Sequence, residues 1–209
     1  MGAVAVNGVV VRDLATDVLA SDKVTVRGKA VTPAVDKVYV IMNKPKDVVC
    51  TCSDERGRKT VLDILPHAVK GARLFPVGRL DFTSEGLLIL TNDGEFTRSV
   101  THPSSKIEKV YVATLEKKFD RRDAEKLETG VDIDGEMTLP AKVRVIGKDP
   151  LRGDIVEIVI TQGRNRQVRR MFYAIGYNVH ALTRVRIGRL DLGDLKVGEC
   201  RVLDCPPLV

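Results

Sequence analysis

Asp81 is the carboxylate around which chemistry is easiest to write. It lies in the stretch Val77-Gly78-Arg79-Leu80-Asp81-Phe82-Thr83-Ser84-Glu85-Gly86-Leu87-Leu88-Ile89-Leu90-Thr91-Asn92-Asp93-Gly94. An ionised carboxylate can attack an electrophilic carbon or remove a proton, without metal or redox cofactor. Burial raises a carboxylate's pKa and a nearby cation opposes that, so such a group needs a basic neighbour when substrate covers it. Arg79 stands two residues away, and Arg164, Arg166, Arg169 and Arg170 surround Gln167 later in the chain. The competing reading of Asp81 is a loop aspartate capping a turn, a local preference of Asp. Gly-Arg-Leu-Asp recurs at Gly188-Arg189-Leu190-Asp191 without the same continuation. Its first four letters therefore carry little, and the signal lies in the whole stretch from 77 to 94.

The elements around these residues are readable from pattern. Residues 87 to 90 form an apolar run that reads as a short buried strand, closed by the turn signal Asn92-Asp93-Gly94. Asp81 then sits on a loop held by a rigid element. Val168, Met171, Phe172 and Ile175 recur at helical spacing, with Asn165 as N-cap and Gly176 as stop. Arg166, Arg169, Arg170 and Tyr173 follow the same spacing on another face. That face is either solvated or an RNA-facing surface, and Arg164 adds a cation where helix N–H groups favour phosphate. Strands are expected over 37–43, 107–115 (carrying Tyr111), 141–146 and 155–161. Lys44 and Lys46 end the first on a loop, as phosphate contacts or as solvated lysines. Thr60 is expected to cap a short helix through Leu65, residues 95–100 form a helical turn, and Asp120 caps a helix that stops at Gly130. Residues 3–11 read as two strands around Asn7-Gly8, 22–29 as another ending at a turn, and Thr32-Pro33-Ala34-Val35-Asp36 as a linker. Residues 1–35 and 36–209 are the expected domains.

Composition bounds the rest. The 209 residues suffice for one sizeable domain and an appendage, and 44% hydrophobic residues permit a core built on Val, Ile and Leu, since Trp is absent. A net charge of +6 is compatible with a polyanionic partner without requiring one. Cys50, Cys52, Cys200 and Cys205 are spaced C-x-C and C-x4-C rather than in C-x2-C pairs, and His67, His102 and His180 are scattered, so no metal is expected. No run approaches the ~20 apolar residues of a membrane span, and no signal peptide is visible. A soluble cytoplasmic protein with reduced thiols is the expectation.

The stretch from 77 to 94 resembles the catalytic loop of the pseudouridine synthases, in the branch that modifies ribosomal RNA one site at a time. The resemblance extends to Met42-Asn43-Lys44-Pro45-Lys46-Asp47-Val48-Val49-Cys50-Thr51, to Lys109-Val110-Tyr111, to Gly163-Arg164-Asn165-Arg166-Gln167-Val168-Arg169-Arg170-Met171-Phe172 and to Leu182-Thr183-Arg184-Val185-Arg186-Ile187-Gly188. These segments keep the family's order over residues 38 to about 204. The resemblance implies an α+β fold, a mixed and mainly antiparallel sheet with flanking helices and a central cleft. It implies an enzyme that turns a uridine of ribosomal RNA into pseudouridine without a cofactor, acting on a base extruded from its stack. By the same resemblance Asp81 is the essential aspartate, as nucleophile or as base, Tyr111 the active-site tyrosine and Arg169 the basic partner of Asp81. Arg79, Lys44, Arg164, Asn165, Arg166, Gln167 and Arg170 are the implied RNA contacts, and Leu182 and Ile187 the apolar side of the pocket. Large-subunit RNA is favoured over small-subunit RNA by the late basic segment and the Cys-Thr-Cys-Ser loop, with free RNA and an assembly intermediate both open as substrate. A monomer is expected. A non-catalytic RNA-binding or assembly factor on the same fold is the alternative. Residues 3–35 resemble the second half of the small RNA-binding module also carried by ribosomal protein S-four, whose two leading helices are missing before Met1. The competing reading of that piece is a β-arm packed on the main domain.

Overall fold

The computed structural model describes residues 3–13, 15–19, 21–31, 36–69 and 71–206. The chain divides into two units, Met1–Lys37 and Val38–Val209. In the first, β1 (Val4–Val6), β2 (Val9–Val11), β3 (Val24–Val26) and β4 (Lys29–Ala30) form an antiparallel sheet in the order β2-β1-β3-β4. Asn7-Gly8 and Arg27-Gly28 all take positive φ, the backbone that matches a two-residue hairpin to the twist of its strands. The expected linker residues Thr32-Pro33-Ala34-Val35 lie outside the described residues.

The second unit is built on one mixed sheet. Its elements are β5 (Tyr39–Lys44), β6 (Phe75–Val77), β7 (Glu85–Thr91), α1 (Gly94–Thr101), β8 (Lys109–Leu115), α2 (Arg121–Thr129), β9 (Asp132–Ile133), β10 (Glu136–Met137), β11 (Lys142–Lys148), β12 (Asp154–Ile160), α3 (Gln167–Ala174), β13 (Val179–Ile187), β14 (Leu190–Asp191) and β15 (Cys200–Leu203). The strand order is β11-β12-β8-β13-β7-β5-β15, with β14 on β13 and β6 on β7, while β9 and β10 form a separate hairpin. All of these pairs are antiparallel except β13 with β7. This is the expected mixed, mainly antiparallel α+β fold.

β7 is the spine. Leu87, Leu88, Ile89 and Leu90 are all fully buried, because the sheet is covered on both faces. Leu87 and Ile89 pack with Ile41, Val77, Val100 and Ile187. Leu88 and Leu90 join the larger core with Val40, Met42, Val168, Met171 and Phe172. β5 runs along one edge of β7. The other edge is shared by β13, paired at Glu85 and Gly86, and by β6, paired from Ile89 to Thr91. The two diverge between those positions, and that divergence opens the sheet near Leu87.

Three local expectations are revised. Residues 61–64 form turns, not a helix. Thr60 is held in a bridge with Val49, and its N–H and hydroxyl both donate to Asp63 Oδ2, at 2.7 and 2.8 Å. α3 begins at Gln167 with Arg166, not Asn165, at the N-cap, in left-handed backbone (φ 49°, ψ 29°) and without a side-chain cap. Gly176 ends it as expected, at φ +85°. Residues 94–101 make a full helix rather than a single turn, because Asp93 caps α1 by accepting from the Phe96 N–H.

Candidate active site

The loop from Gly78 to Ser84 joins β6 to β7 and carries Asp81 to the sheet opening. It is pinned residue by residue. Arg184 Nη1 donates to the Arg79 carbonyl at 3.5 Å, and the Leu80 N–H donates to Cys50 Sγ at 3.3 Å. The Ser84 N–H donates to the Asp81 carbonyl at 3.0 Å, and the Asp47 N–H to the Phe82 carbonyl at 2.9 Å. Arg169 Nη2 donates to the Thr83 carbonyl at 3.1 Å. The Asp81 side chain itself has no hydrogen bond or ion pair among the described residues. A polar side chain left unspent on a fixed loop is available to a ligand.

Asp81 lines a cleft of about 630 Å³ together with Arg79, Tyr111, Lys109, Arg184, Leu182 and Ile187. Arg164, Asn165, Arg166 and Gln167 line it from the α3 side. Such a volume suits a nucleoside-sized ligand. Tyr111, Leu182 and Ile187 are buried walls, whereas Arg79, Asn165 and Arg166 are exposed at the rim. Nine of the sequence-derived site residues therefore meet in one cavity, and Lys44, Arg169 and Arg170 do not line it.

Lys44 is not a loop lysine. It ends β5 fully buried, with Nζ donating to the Pro45 carbonyl at 2.6 Å. Burial pushes its pKa down, against the opposing charges of Cys50, Glu85, Asp47 and Asp81. Arg169 is half-buried, and its Nη1 donates to the Val179 carbonyl at 2.6 Å, so it clasps the Asp81 loop to β13. Burial lowers its pKa most, the Arg166 charge adds to that, and the Asp81 charge opposes it. Asp81 is thus flanked by two cations that feel its charge without bonding it.

The remaining basic residues divide by what already holds them. Gln167 is buried, accepting from the Arg164 N–H at 3.0 Å and donating to Gln162 Oε1 at 3.2 Å. Arg164 donates to the carbonyls of Glu136 and Met137, at 3.2 and 3.1 Å, and pins the β9–β10 hairpin. These two build the cleft wall. Arg170 pairs with Asp134.

Arg184 is the residue that sequence reading passed over. It is 3% exposed, and its Nε donates to the Leu87 carbonyl at 2.8 Å, in the gap where β6 and β13 part along β7. Its Nη1 lies 3.4 Å from the Tyr111 hydroxyl, and its Nη2 is buried without a partner among the described residues. A buried donor left unpaired beside an open cleft costs stability unless a ligand fills it. Its position in Leu182-Thr183-Arg184 was the available signal, two residues from a wall residue on the same strand face.

Among the described residues no group of His, Cys, Asp and Glu could hold a metal ion, and no helix is long and apolar enough to cross a membrane. Residues 38–174 match the family model described as RNA pseudouridylate synthase. The chain is 40% identical over 203 residues to ribosomal large subunit pseudouridine synthase B of Bacillus subtilis (strain 168), covering 97% of this chain and 82% of that protein. It is also 40% identical to ribosomal large subunit pseudouridine synthase E of Vibrio parahaemolyticus over 183 residues, 80% of this chain and 75% of that one. A crystal structure of a pseudouridylate synthase superposes with a TM-score of 0.74 at 31% identity, over 97% of this chain and 85% of that chain.

Proposed function

The chain belongs to the RNA pseudouridylate synthase family, and on that footing we propose that it isomerises a specific uridine of large-subunit ribosomal RNA, with Asp81 as the catalytic carboxylate. The observation that carries this reading is an unpaired carboxylate on a fully pinned loop, opening on a cleft that Tyr111 and Arg184 line. The two relatives named above, both large-subunit enzymes by name, support the choice of RNA.

The reaction breaks the bond from uridine N1 to ribose C1′ and joins C1′ to C5. The C5 hydrogen leaves as a proton, and N1 takes one up. Asp81 serves either by attack on carbon or by removing a ribose proton. The Tyr111 ring offers a face for the extruded base, and its hydroxyl, beside the Arg184 guanidinium, can relay a proton. Leu182 and Ile187 close the apolar side. Arg79 and Arg166 hold phosphate at the rim, with Asn165 beside them, and Arg170 meets phosphate by exchanging its exposed Asp134 partner. Arg169 is a positioning residue, acting through the Thr83 carbonyl and through its charge. Gln167, Arg164 and Lys44 support the walls rather than touch RNA. Residues 36–209 carry this chemistry, and residues 1–35 are the S-four-like piece.

Tritium release from ribosomal RNA labelled at uridine C5 tests the reading, with each subunit's RNA assayed separately. Release from large-subunit RNA by the wild type, and none by Asp81→Asn despite RNA affinity within about threefold, is the expected result. Substantial release by the variant would remove Asp81 from the chemistry. Release from small-subunit RNA alone would reassign the target.

A further inference from the structure

On the far side of Arg166 from the uridine cleft lies a second cavity of about 340 Å³, lined by Glu116, Arg166, Arg169, Arg170, Tyr173 and Asn178, with others. Arg166 lines both cavities, so the two are neighbours across one side chain. We infer that the second cavity receives the nucleotide adjoining the target uridine, its base stacked on Tyr173 and the linking phosphate held by Arg166. The inference rests on the pseudouridylation reading above.

Four features support that ligand class. The volume is on the scale of a single small ligand, too small for a folded partner. Tyr173 is 73% exposed although it stands on a helix whose other face is core. An exposed ring among guanidiniums is the platform on which single-stranded bases stack, and it accepts any base. Arg166 is exposed, its guanidinium unpaired among the described residues, and its backbone is left-handed. That conformation is unfavourable for a residue with a Cβ. Here it is retained by the Arg170 N–H bond to the Arg166 carbonyl (3.0 Å) and the Gln167 N–H bond to the Arg164 carbonyl (3.2 Å). The result is a cation set on the divide between the cavities, where a strand passing from one to the other must bring a phosphate. Finally, Arg169 lines this cavity, and its Nε is buried without a partner among the described residues. Glu116 on the rim repels a second phosphate there, which leaves the base as the group that enters.

The test uses stem-loop RNAs bracketing the uridine that primer-extension mapping of pseudouridine locates in the RNA that releases tritium: one intact, one abasic immediately 5′ of that uridine and one abasic immediately 3′. Affinities of wild type and Tyr173→Leu are read by fluorescence anisotropy of the labelled RNA. Tyr173→Leu is expected to weaken binding of the intact RNA roughly tenfold, the scale of one lost base stack. One of the two abasic RNAs is expected to weaken wild-type binding by a similar factor and to cost the variant nothing further. Arg166→Gly, which keeps the left-handed backbone, is expected to lower the slope of log affinity against log salt by about 0.7, one single-strand phosphate contact. The subsite is overturned if Tyr173→Leu binds the intact RNA as wild type does, or if each abasic RNA costs both proteins the same factor. Tritium release without that coupling removes the subsite alone. No release from any ribosomal RNA by the wild type removes the parent reading, and the subsite with it.

Discussion

Lys44 is where side-chain chemistry departs most from expectation, and its burial has a measurable consequence. A lysine near 10.5 when unfolded is held lower in the fold by burial. Between the folded value and 10.5 the unfolded chain binds the extra proton, so stability rises with pH across that window. Below the window the cost of burying the charge is fully present. Lys44→Met removes the titration. In denaturant unfolding at stepped pH, the stability of wild type minus that of Lys44→Met is expected to shift in favour of wild type as pH climbs towards 10.5. A pH-independent difference would mean that Lys44 keeps an ordinary pKa. Asp81 and Arg184 complete the picture at this scale. Among the described residues one is a carboxylate free of partners, the other a guanidinium left partly unsatisfied, and both line the same cleft.

Among elements, the parallel contact of β13 with β7 decides where the cleft opens. Gly86 makes it possible. Its φ is +112°, and a Cβ there would lie 2.2 Å from the Arg184 carbonyl oxygen. Gly86→Ala is therefore expected to cost about 3 kcal/mol or more, through a forbidden backbone and a clash with main chain. Thermal or urea unfolding measures it, and because Arg184 and the Asp81 loop flank the junction, tritium release should fall with stability. A variant as stable as wild type would show that the strands can part there without loss. α3 makes the complementary point. Its apolar stripe was readable from spacing, but its start was not. Arg166 rather than Asn165 is the N-cap, because Gln167 turns inward to bond Gln162 and the Arg164 backbone.

The whole molecule carries 34 basic and 28 acidic residues, an excess too small to name a partner on its own. What matters is where the cations remain free of internal partners, since only those release counterions on binding RNA. Arg164 is spent on a hairpin and Lys44 on the interior, leaving Arg79 and Arg166 at the rim, with Arg170 held in an exposed pair with Asp134 that a phosphate can displace. Arg170→Ala is expected to weaken RNA binding at low salt and to reduce the salt slope by about 0.7 to 0.9. An unchanged slope would leave Arg170 to its Asp134 pair alone.

The periodic and local features were already written in the amino-acid order. The β7 run, the Asn7-Gly8 hairpin, the α3 stripe, the Asp120 to Gly130 helix and the ordered motifs around Asp81 and Tyr111 each depend on neighbours a few residues apart. Pattern and turn chemistry act over that range, so they survive in a linear reading. The fate of each polar side chain did not. Arg184 finds its acceptor at Leu87, 97 residues earlier, and Arg169 finds Thr83, 86 residues earlier. Thr60 looked like a helix cap until Val49 paired with it. Whether a cation is solvated, buried or aimed into a cleft depends on which strand lies opposite. That is a property of long-range packing, and it alone separated wall-building residues from those left open at the cleft.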